Sequence, residues 1–403
     1  MKKRSGAMPG RFFLGGEVTT WRVYTSVDET VDIRIQLIFA LAFFASPFSF
    51  AQSSQQRIVP PLHTEGHRIV DSAGHAIRLA SVNWYGFDEK EYVPGGLDHA
   101  PLPRIIELIQ KIGVNSVRLP WANETVESNP AVPDYAVAAN PQFKGKRAME
   151  VMDAVIEALS RAHLMVILDN HVSRADWCCS ETDGNGLWYN DQYPEEKWLA
   201  DWMALARRYA HQPWVVGADL RNELRNGATW GGLNPKLDWH AAAERGGAAV
   251  LRGNSRLLVM VEGPNYSTDF RGVDKLPVRL PVDHRLVYSP HAYNTSYGKD
   301  DERFEERAGF LARMEPGAPV WFGEMGTCQK LDCAGNAEWF KGFVRDVLAK
   351  DSQLGWSYWP LNGTQSSGRT RTYDATETYG LLTPDYREIA APELVEMLRK
   401  ATQ

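Results

Sequence analysis

Two glutamates stand where chemistry could be done. Glu223 closes the run Val215–Glu223, and Glu324 closes the run Val320–Glu324. Both runs are apolar enough to form parallel strands buried on both faces. A carboxylate where such a strand gives way to a loop is poorly placed for a core and well placed at the mouth of a barrel of alternating strands and helices. Two carboxyls converging from different strands can work as a pair, one giving a proton while the other attacks from the opposite face. Cleavage of a glycosidic bond asks for such a pair.

Other polar and aromatic side chains gather at the same kind of position. Asn83-Trp84 ends one strand-like run, Arg118 lies near the end of another, and Asp169-Asn170-His171 ends a third. Asn222 precedes Glu223, His291-Ala292-Tyr293 follows a sixth run, and Trp359 ends the last. Each has an ordinary structural explanation on its own, whereas their coincidence at one end of one architecture points to an active site. Asp169 is expected to bond neighbouring backbone or Arg118. Glu262 also ends a run, before Gly263-Pro264-Asn265, and reads as structural or as a secondary ligand contact.

The elements that would position these residues alternate. Strand-like runs cover Leu79–Trp84, Asn115–Pro120, Leu164–His171, Val215–Glu223, Leu257–Glu262, Leu286–His291, Val320–Glu324 and Gly355–Trp359. Segments with helical spacing lie between and after them: Pro101–Ile112, Arg147–His163, Glu195–Tyr209, Trp239–Arg252, Asp301–Met314, Asn336–Ala349 and Glu388–Lys400. The pattern predicts an α/β fold, a (β/α)8 TIM barrel with enlarged βα loops. His67–Leu79 reads as an N-terminal β-hairpin around Ser72-Ala73-Gly74, able to cap the barrel floor. Residues 67–401 are expected to be one catalytic domain, with 52–66 a mature N-terminal segment.

In order and in strand position, Arg118, His171, Asn222-Glu223, His291-Ala292-Tyr293, Glu324 and Trp359 resemble the active-site set of glycoside hydrolase family 5, the cellulase family A. The resemblance runs from about His67 to Lys400. Trp177-Cys178-Cys179-Ser180, Asp183-Gly184-Asn185-Gly186 and Leu220–Arg225 are similar to a cellulase-like branch with bacterial, fungal and plant members. It implies a retaining β-glycoside hydrolase acting on β-linked polysaccharide, β-1,4-glucan first, with mannan or another β-glycoside as the alternative. It further implies that Glu223 is the acid/base and Glu324 the nucleophile. Arg118 and Tyr293 would bond the nucleophile, His291 would sit beside Glu223, Asn222 would bond the sugar 2-hydroxyl, and Trp359 would stack under the sugar. His171 completes the set. Asn83, Trp84, Trp177, Trp188 and Trp230 are candidate wall residues. Many family members carry Pro after the acid/base; here it is Leu224, which weakens any transfer of their substrate preference.

Composition bounds the class. The chain has 403 residues, 44% hydrophobic and 23% charged, as in an ordinary globular enzyme. A formal net charge of −6 argues against a nucleic-acid partner. The apolar run Ile33–Ala45, followed by Ser49-Phe50-Ala51, reads as a secretory signal peptide. Residues 1–51 are then a leader, with translation starting downstream of Met1, and an uncleaved anchor is the alternative. The mature protein is expected to be secreted or periplasmic, monomeric and without stable membrane association. Export permits disulfides; of three pairings of four cysteines, local ones are favoured, Cys328–Cys333 and a vicinal Cys178–Cys179. No metal or cofactor is expected, since His63 and His67 precede the barrel strands. A metal-dependent barrel hydrolase and a non-catalytic sugar-binding barrel are the rival classes.

Overall fold

The computed structural model describes residues 58–297 and 301–402; the leader, its expected cleavage point and the proposed start lie outside them. Strands β1 (His63–Glu65), β2 (Arg68–Val70) and β3 (Ala76–Ile77) form a small antiparallel sheet. Its β2–β3 turn is the expected hairpin: the Asp71 carboxylate accepts the Ala73 and His75 N–H groups, and Gly74 takes φ +86°. β1 lies within the segment 52–66, for which the sequence predicts no strand.

The barrel strands follow: β4 (Ala80–Asn83), β5 (Ser116–Ala122), β6 (Met165–Val172), β7 (Val215–Asp219), β8 (Leu258–Val261), β9 (Leu286–Tyr288), β10 (His291–Ala292), β11 (Trp321–Met325) and β12 (Gly355–Tyr358). All pair in parallel, in the order β10-β11-β12-β4-β5-β6-β7-β8-β9. These nine segments are the eight expected strands, because Pro290 lacks an N–H and divides the sixth into β9 and β10. Closure comes at that break. Tyr288 bridges Val320, the Gly323 N–H donates to the Pro290 carbonyl at 3.1 Å, and His291 pairs with Glu324.

Strand periodicity sorts the side chains. In β6, Met165 and Ile167 join an inner cluster with Leu258, Met260, Val287 and Trp321, whereas Val166 and Leu168 join the large cluster under the helices. Gly217 is required inside, since a Cβ there would stand 2.7 Å from the Met260 methyl. The inner cluster is sealed by Leu62, just ahead of β1, and Ile69 of β2. That sheet docks through Thr64 N–H to the His284 carbonyl and His67 Nδ1 to the Ala318 carbonyl, both just ahead of barrel strands. It therefore floors the barrel at the end away from the loops that follow the strands. Both rings that could have suggested a metal, His63 and His67, belong to this floor.

Several boundaries differ from the sequence reading. The seventh helix begins at Pro392 rather than Glu388, because residues before a proline avoid the α region. The segment predicted as Asp301–Met314 is a helix Asp301–Arg307 and a 3-10 turn Gly309–Arg313, parted at Ala308 with φ −142°. Asn336–Phe343 is α-helical, and Val344–Leu348 continues as a π turn. Strand β7 ends at Asp219, so Glu223 lies in the loop beyond it. Among the described residues no helix is long and apolar enough to cross a membrane.

Candidate active site

The polar layer above the inner cluster is built on the inward parity of each strand. Asn83, Arg118, Asp169 and Asp219 come from β4 to β7, Glu262 follows β8, and His291 opens β10. All six are buried. Arg118 is their hub. Its Nε donates to Asp219 at 2.9 Å, Nη1 to Asn83 at 3.1 Å and Glu324 at 2.8 Å, and Nη2 to Asn222 and Glu262 at 3.0 Å each. Asp169 stands 3.1 Å from Nη2 as an ion pair. Burial alone would lower the Arg118 pKa, but this ring of carboxylates raises it well above the ordinary value. Asp169, Asp219 and Glu262 bring oxygens within 4.8 Å of one another, a spacing that could suit a metal ion. The guanidinium already stands against all three and supplies the positive charge.

One cation cannot hold every carboxylate ionised. Asp169 Oδ1 and Asp219 Oδ1 have no hydrogen-bond partner among the described residues. Burial first, then neighbouring carboxylates, push Asp169 up to about 8 and Asp219 well above its usual range. Glu262 goes the other way: burial would raise it, yet His291, Arg118 and the Glu223 N–H together lower it.

Glu324 accepts hydrogen bonds on both oxygens, from Arg118 on Oε1 and from the Tyr293 hydroxyl on Oε2 at 2.9 Å. Glu223 takes φ +44°, and its N–H donates to Glu262 at 2.7 Å. Its Oε1 lies 3.1 Å from His291 Nδ1. Burial raises the Glu223 pKa, and the Glu324 charge adds to the rise. Burial would lower His291, but Glu262, Glu324 and Glu223 overcome this and raise it well above the imidazole range, so the ring is an imidazolium. Oxygens of Glu223 and Glu324 and a nitrogen of His291 lie within 4.8 Å of one another.

Around this pair opens a cavity of about 330 Å³ lined by His171, Trp177, Cys178, Cys179, Asn222, Tyr293, Trp359, Arg371, Glu377, Thr378 and Tyr379 besides the two glutamates. Trp359 lies parallel to His171 at 5.2 Å and to Tyr85 at 5.3 Å. His171 is lowered by burial, so it is neutral; Asn222 faces its Nε2 at 3.3 Å, and Asp169 faces its Nδ1 at 2.7 Å. Cys178 is bonded to Cys179, and Asn222 Nδ2 approaches both sulfurs. Cys328 is bonded to Cys333.

The structure thus gathers Arg118, His171, Asn222, Glu223, His291, Tyr293, Glu324 and Trp359 in one place, with Asn83 below them gripping Arg118. It does not bring Trp84 there. Trp84 has the outward parity of β4, is fully buried, and donates its Nε1–H to the Gly95 carbonyl. Nor does it bring Trp188, buried against Trp239 with Nε1–H on Glu195, or Trp230, which packs on His240 and Phe270. Trp177 does line the cavity, but the Arg371 guanidinium covers one face at 3.4 Å. Arg371, Glu377, Thr378 and Tyr379 were missed because their loop after β12 carries no periodic signal. Glu262 was seen at its strand end, but nothing in the sequence tied it to Glu223.

A closed parallel barrel with a carboxylate-rich pocket among its strand-end loops belongs to the barrel enzyme class. Comparison with known proteins makes this specific. The family described as Cellulase (glycosyl hydrolase family 5) matches residues 70–365. An endoglucanase of Paenibacillus polymyxa is 32% identical over 80% of this chain and 83% of its own length. The major extracellular endoglucanase of Xanthomonas campestris pv. campestris is 31% identical over 82% and 69%. The crystallised catalytic domain of the Xanthomonas enzyme superposes with a TM-score of 0.73 at 27% identity, covering 85% of this chain and 99% of that one. An endocellulase of Pyrococcus horikoshii, solved with cellotetraose, gives 0.72 at 26% identity over 86% and 100%. The chain belongs to glycosyl hydrolase family 5 and is a glycoside hydrolase.

Proposed function

We propose that this protein cleaves β-1,4-glucan internally by double displacement, with Glu324 as nucleophile and Glu223 as acid/base. The observation that carries the reading is the carboxylate pair, with oxygens within 4.8 Å of each other across the pocket. Retaining enzymes hold the two carboxyls about 5–5.5 Å apart, whereas inverting ones leave about 6.5–9.5 Å for a water. The two environments divide the labour. Glu324, bonded on one oxygen by Arg118 and on the other by Tyr293, is the group aimed at the anomeric carbon. Glu223, raised by burial, keeps the proton that the leaving oxygen needs. In the second step the ionised Glu223 takes a proton from water, which releases the sugar from Glu324. Trp359 offers a ring for the sugar above it, and Asn222 an amide for its 2-hydroxyl. The endoglucanase relatives and the cellotetraose-bound endocellulase support the choice of β-1,4-glucan.

The test is stereochemical and genetic. NMR of the reaction should show the β-anomer released first. Glu324→Ala should lose polysaccharide hydrolysis while staying folded, and azide should restore turnover as a glycosyl azide of inverted configuration. Glu223→Gln should lose about 10²–10⁴-fold on the polysaccharide. First release of the α-anomer, or near-normal turnover by either variant, overturns the assignment. We also propose export, with 1–51 removed as leader, 52–66 left as a short N-terminal segment and 67–401 as the catalytic domain. An extracellular relative, and the apolar run Ile33–Ala45 followed by Ser49-Phe50-Ala51, support this. N-terminal sequencing of the mature protein should begin near Gln52, and a chain retaining residues 33–45 refutes it.

A further inference from the structure

Glu262 is fully buried, follows β8, and does not itself line the pocket where a substrate would lie. Its two oxygens are nonetheless both committed to the machinery. Oε2 accepts the Glu223 backbone N–H at 2.7 Å. Oε1 lies 3.0 Å from Arg118 Nη2 and 3.3 Å from His291 Nε2. The His291 approach lies off the line of a hydrogen bond, so the contact acts as charge against charge. The other nitrogen of the same ring faces Glu223 Oε1.

We propose that Glu262 is a positioning residue for Glu223, acting through the Glu223 backbone N–H and through the His291 ring. The inference rests on Glu223 being the acid/base. A non-glycine residue at φ +44° sits in a sparsely populated region, and such a conformation persists only where the surroundings over-determine it. The short N–H contact to an ionised, buried acceptor is what fixes Glu223 there. His291 is the second route. Glu223 and Glu324 also face this ring, and Arg118, Asp169 and Asp219 face Glu262. Among these, Glu262 contributes most to keeping the ring charged. A charged ring against Glu223 favours its carboxylate, so it eases loss of the proton to the leaving oxygen and keeps the base form for the second step.

Glu262→Gln isolates the charge. The amide keeps an oxygen for the Glu223 N–H, and its NH2 can face a neutral Nε2. With His291 neutral, Glu223 loses its cationic neighbour and its pKa rises. Loss of the Glu262 charge pulls Glu223 the other way, but that influence is smaller than the two exerted by His291. The basic limb of kcat/KM, which reports Glu223 deprotonation in the free enzyme, should move upward by about one pH unit. Glu262→Ala, which also frees the N–H, should lose at least tenfold more in kcat than Glu262→Gln. A folded Glu262→Gln with an unmoved basic limb overturns the inference. Should neither variant fold, ¹⁵N NMR of the wild-type enzyme decides: the His291 ring, assigned by its loss in His291→Gln, should still carry both protons at pH 8, and a neutral ring overturns the inference. Activity retained by Glu223→Gln would instead remove the acid/base assignment. Inactivity there, combined with an unmoved Glu262→Gln profile, would remove only the positioning role.

Discussion

Arg118 is a cation with no exposure to water, and its surroundings decide what removing it would do. Arg118→Met would leave Asp169, Asp219, Glu262 and Glu324 facing one another with only the His291 imidazolium as counter-charge. Breaking a buried ion pair by deleting one partner costs about 3–5 kcal/mol, and the loss should depend on pH. Without the guanidinium the carboxyl pKa values rise in the folded state, which then binds protons that the unfolded chain does not. Stability is thus partly regained as pH falls. Urea unfolding at pH 5 and pH 8 should show the larger loss at pH 8, and equal losses would assign the effect to packing. The wild-type cluster has the same sign. Asp169 is held up to about 8 when folded, against about 4 in an unfolded chain. Folding therefore takes up a proton between those values, and stability falls as pH rises through that window. Asp169→Asn, which cannot ionise, should flatten part of that slope in thermal unfolding from pH 5 to 8.5; an unchanged slope would clear Asp169. At this scale the sequence was legible for residues whose chemistry is distinctive, Arg118 and Glu324 above all. It was less so where parity decides. Asn83 and Trp84 are neighbours in sequence, yet one grips Arg118 and the other packs under helices.

Element by element, regular periodicity made the barrel readable, and departures from it hid much of the site. Glu223 closes a strand-like run, yet β7 stops four residues earlier at Asp219, and Leu220–Asn222 still bond to neighbouring strands through Leu220 N–H to Met260 and Asn222 N–H to Asn170. The break at Ser289-Pro290 sets His291 against Glu324, and a continuous strand would have read the same in a hydropathy pattern. The loop after β12 was opaque for a different reason. Arg371 and Glu377 matter because they pair at 2.9 Å over Trp177 and Tyr85, contacts that bridge distant parts of the chain. Cysteines are the exception, since spacing constrains them directly. The Cys328–Cys333 bridge closes a short loop following Glu324, with a sequence separation of 5. Loop-closure entropy for so short a ring stabilises by about 2 kcal/mol. Cys328→Ser combined with Cys333→Ser should lower the unfolding free energy by that amount in urea titration. An unchanged midpoint would mean that the unfolded chain gains no freedom when the bridge is lost.

The described residues from 58 onward form a barrel closed at one end by the N-terminal sheet and open at the other around the carboxylates. This polarity separates stability from catalysis along the strands. The same strand that carries Arg118 high in the barrel carries Ser116 below it, bonded to Ser81 at 2.6 Å. Below that layer the interior is apolar, and its last members, Leu62 and Ile69, come from the floor rather than from the barrel. A hairpin was legible in the sequence around Asp71–Gly74, but its docking was not, because a three-residue strand such as His63–Glu65 has no pattern of its own. Leu62 is fully buried and Ile69 nearly so. Replacing either by alanine removes apolar contacts and leaves a cavity that the rigid barrel above cannot collapse to fill, a loss of about 2–5 kcal/mol. Neither residue touches the pocket. Leu62→Ala and Ile69→Ala should therefore lower the thermal midpoint and the urea midpoint while leaving kcat and KM near wild type at temperatures where both remain folded. The two side chains share one cluster, so the double variant should deviate from the sum of the singles. A variant that loses activity without losing stability would show that the floor is coupled to the carboxylate layer, and the separation argued here would fail.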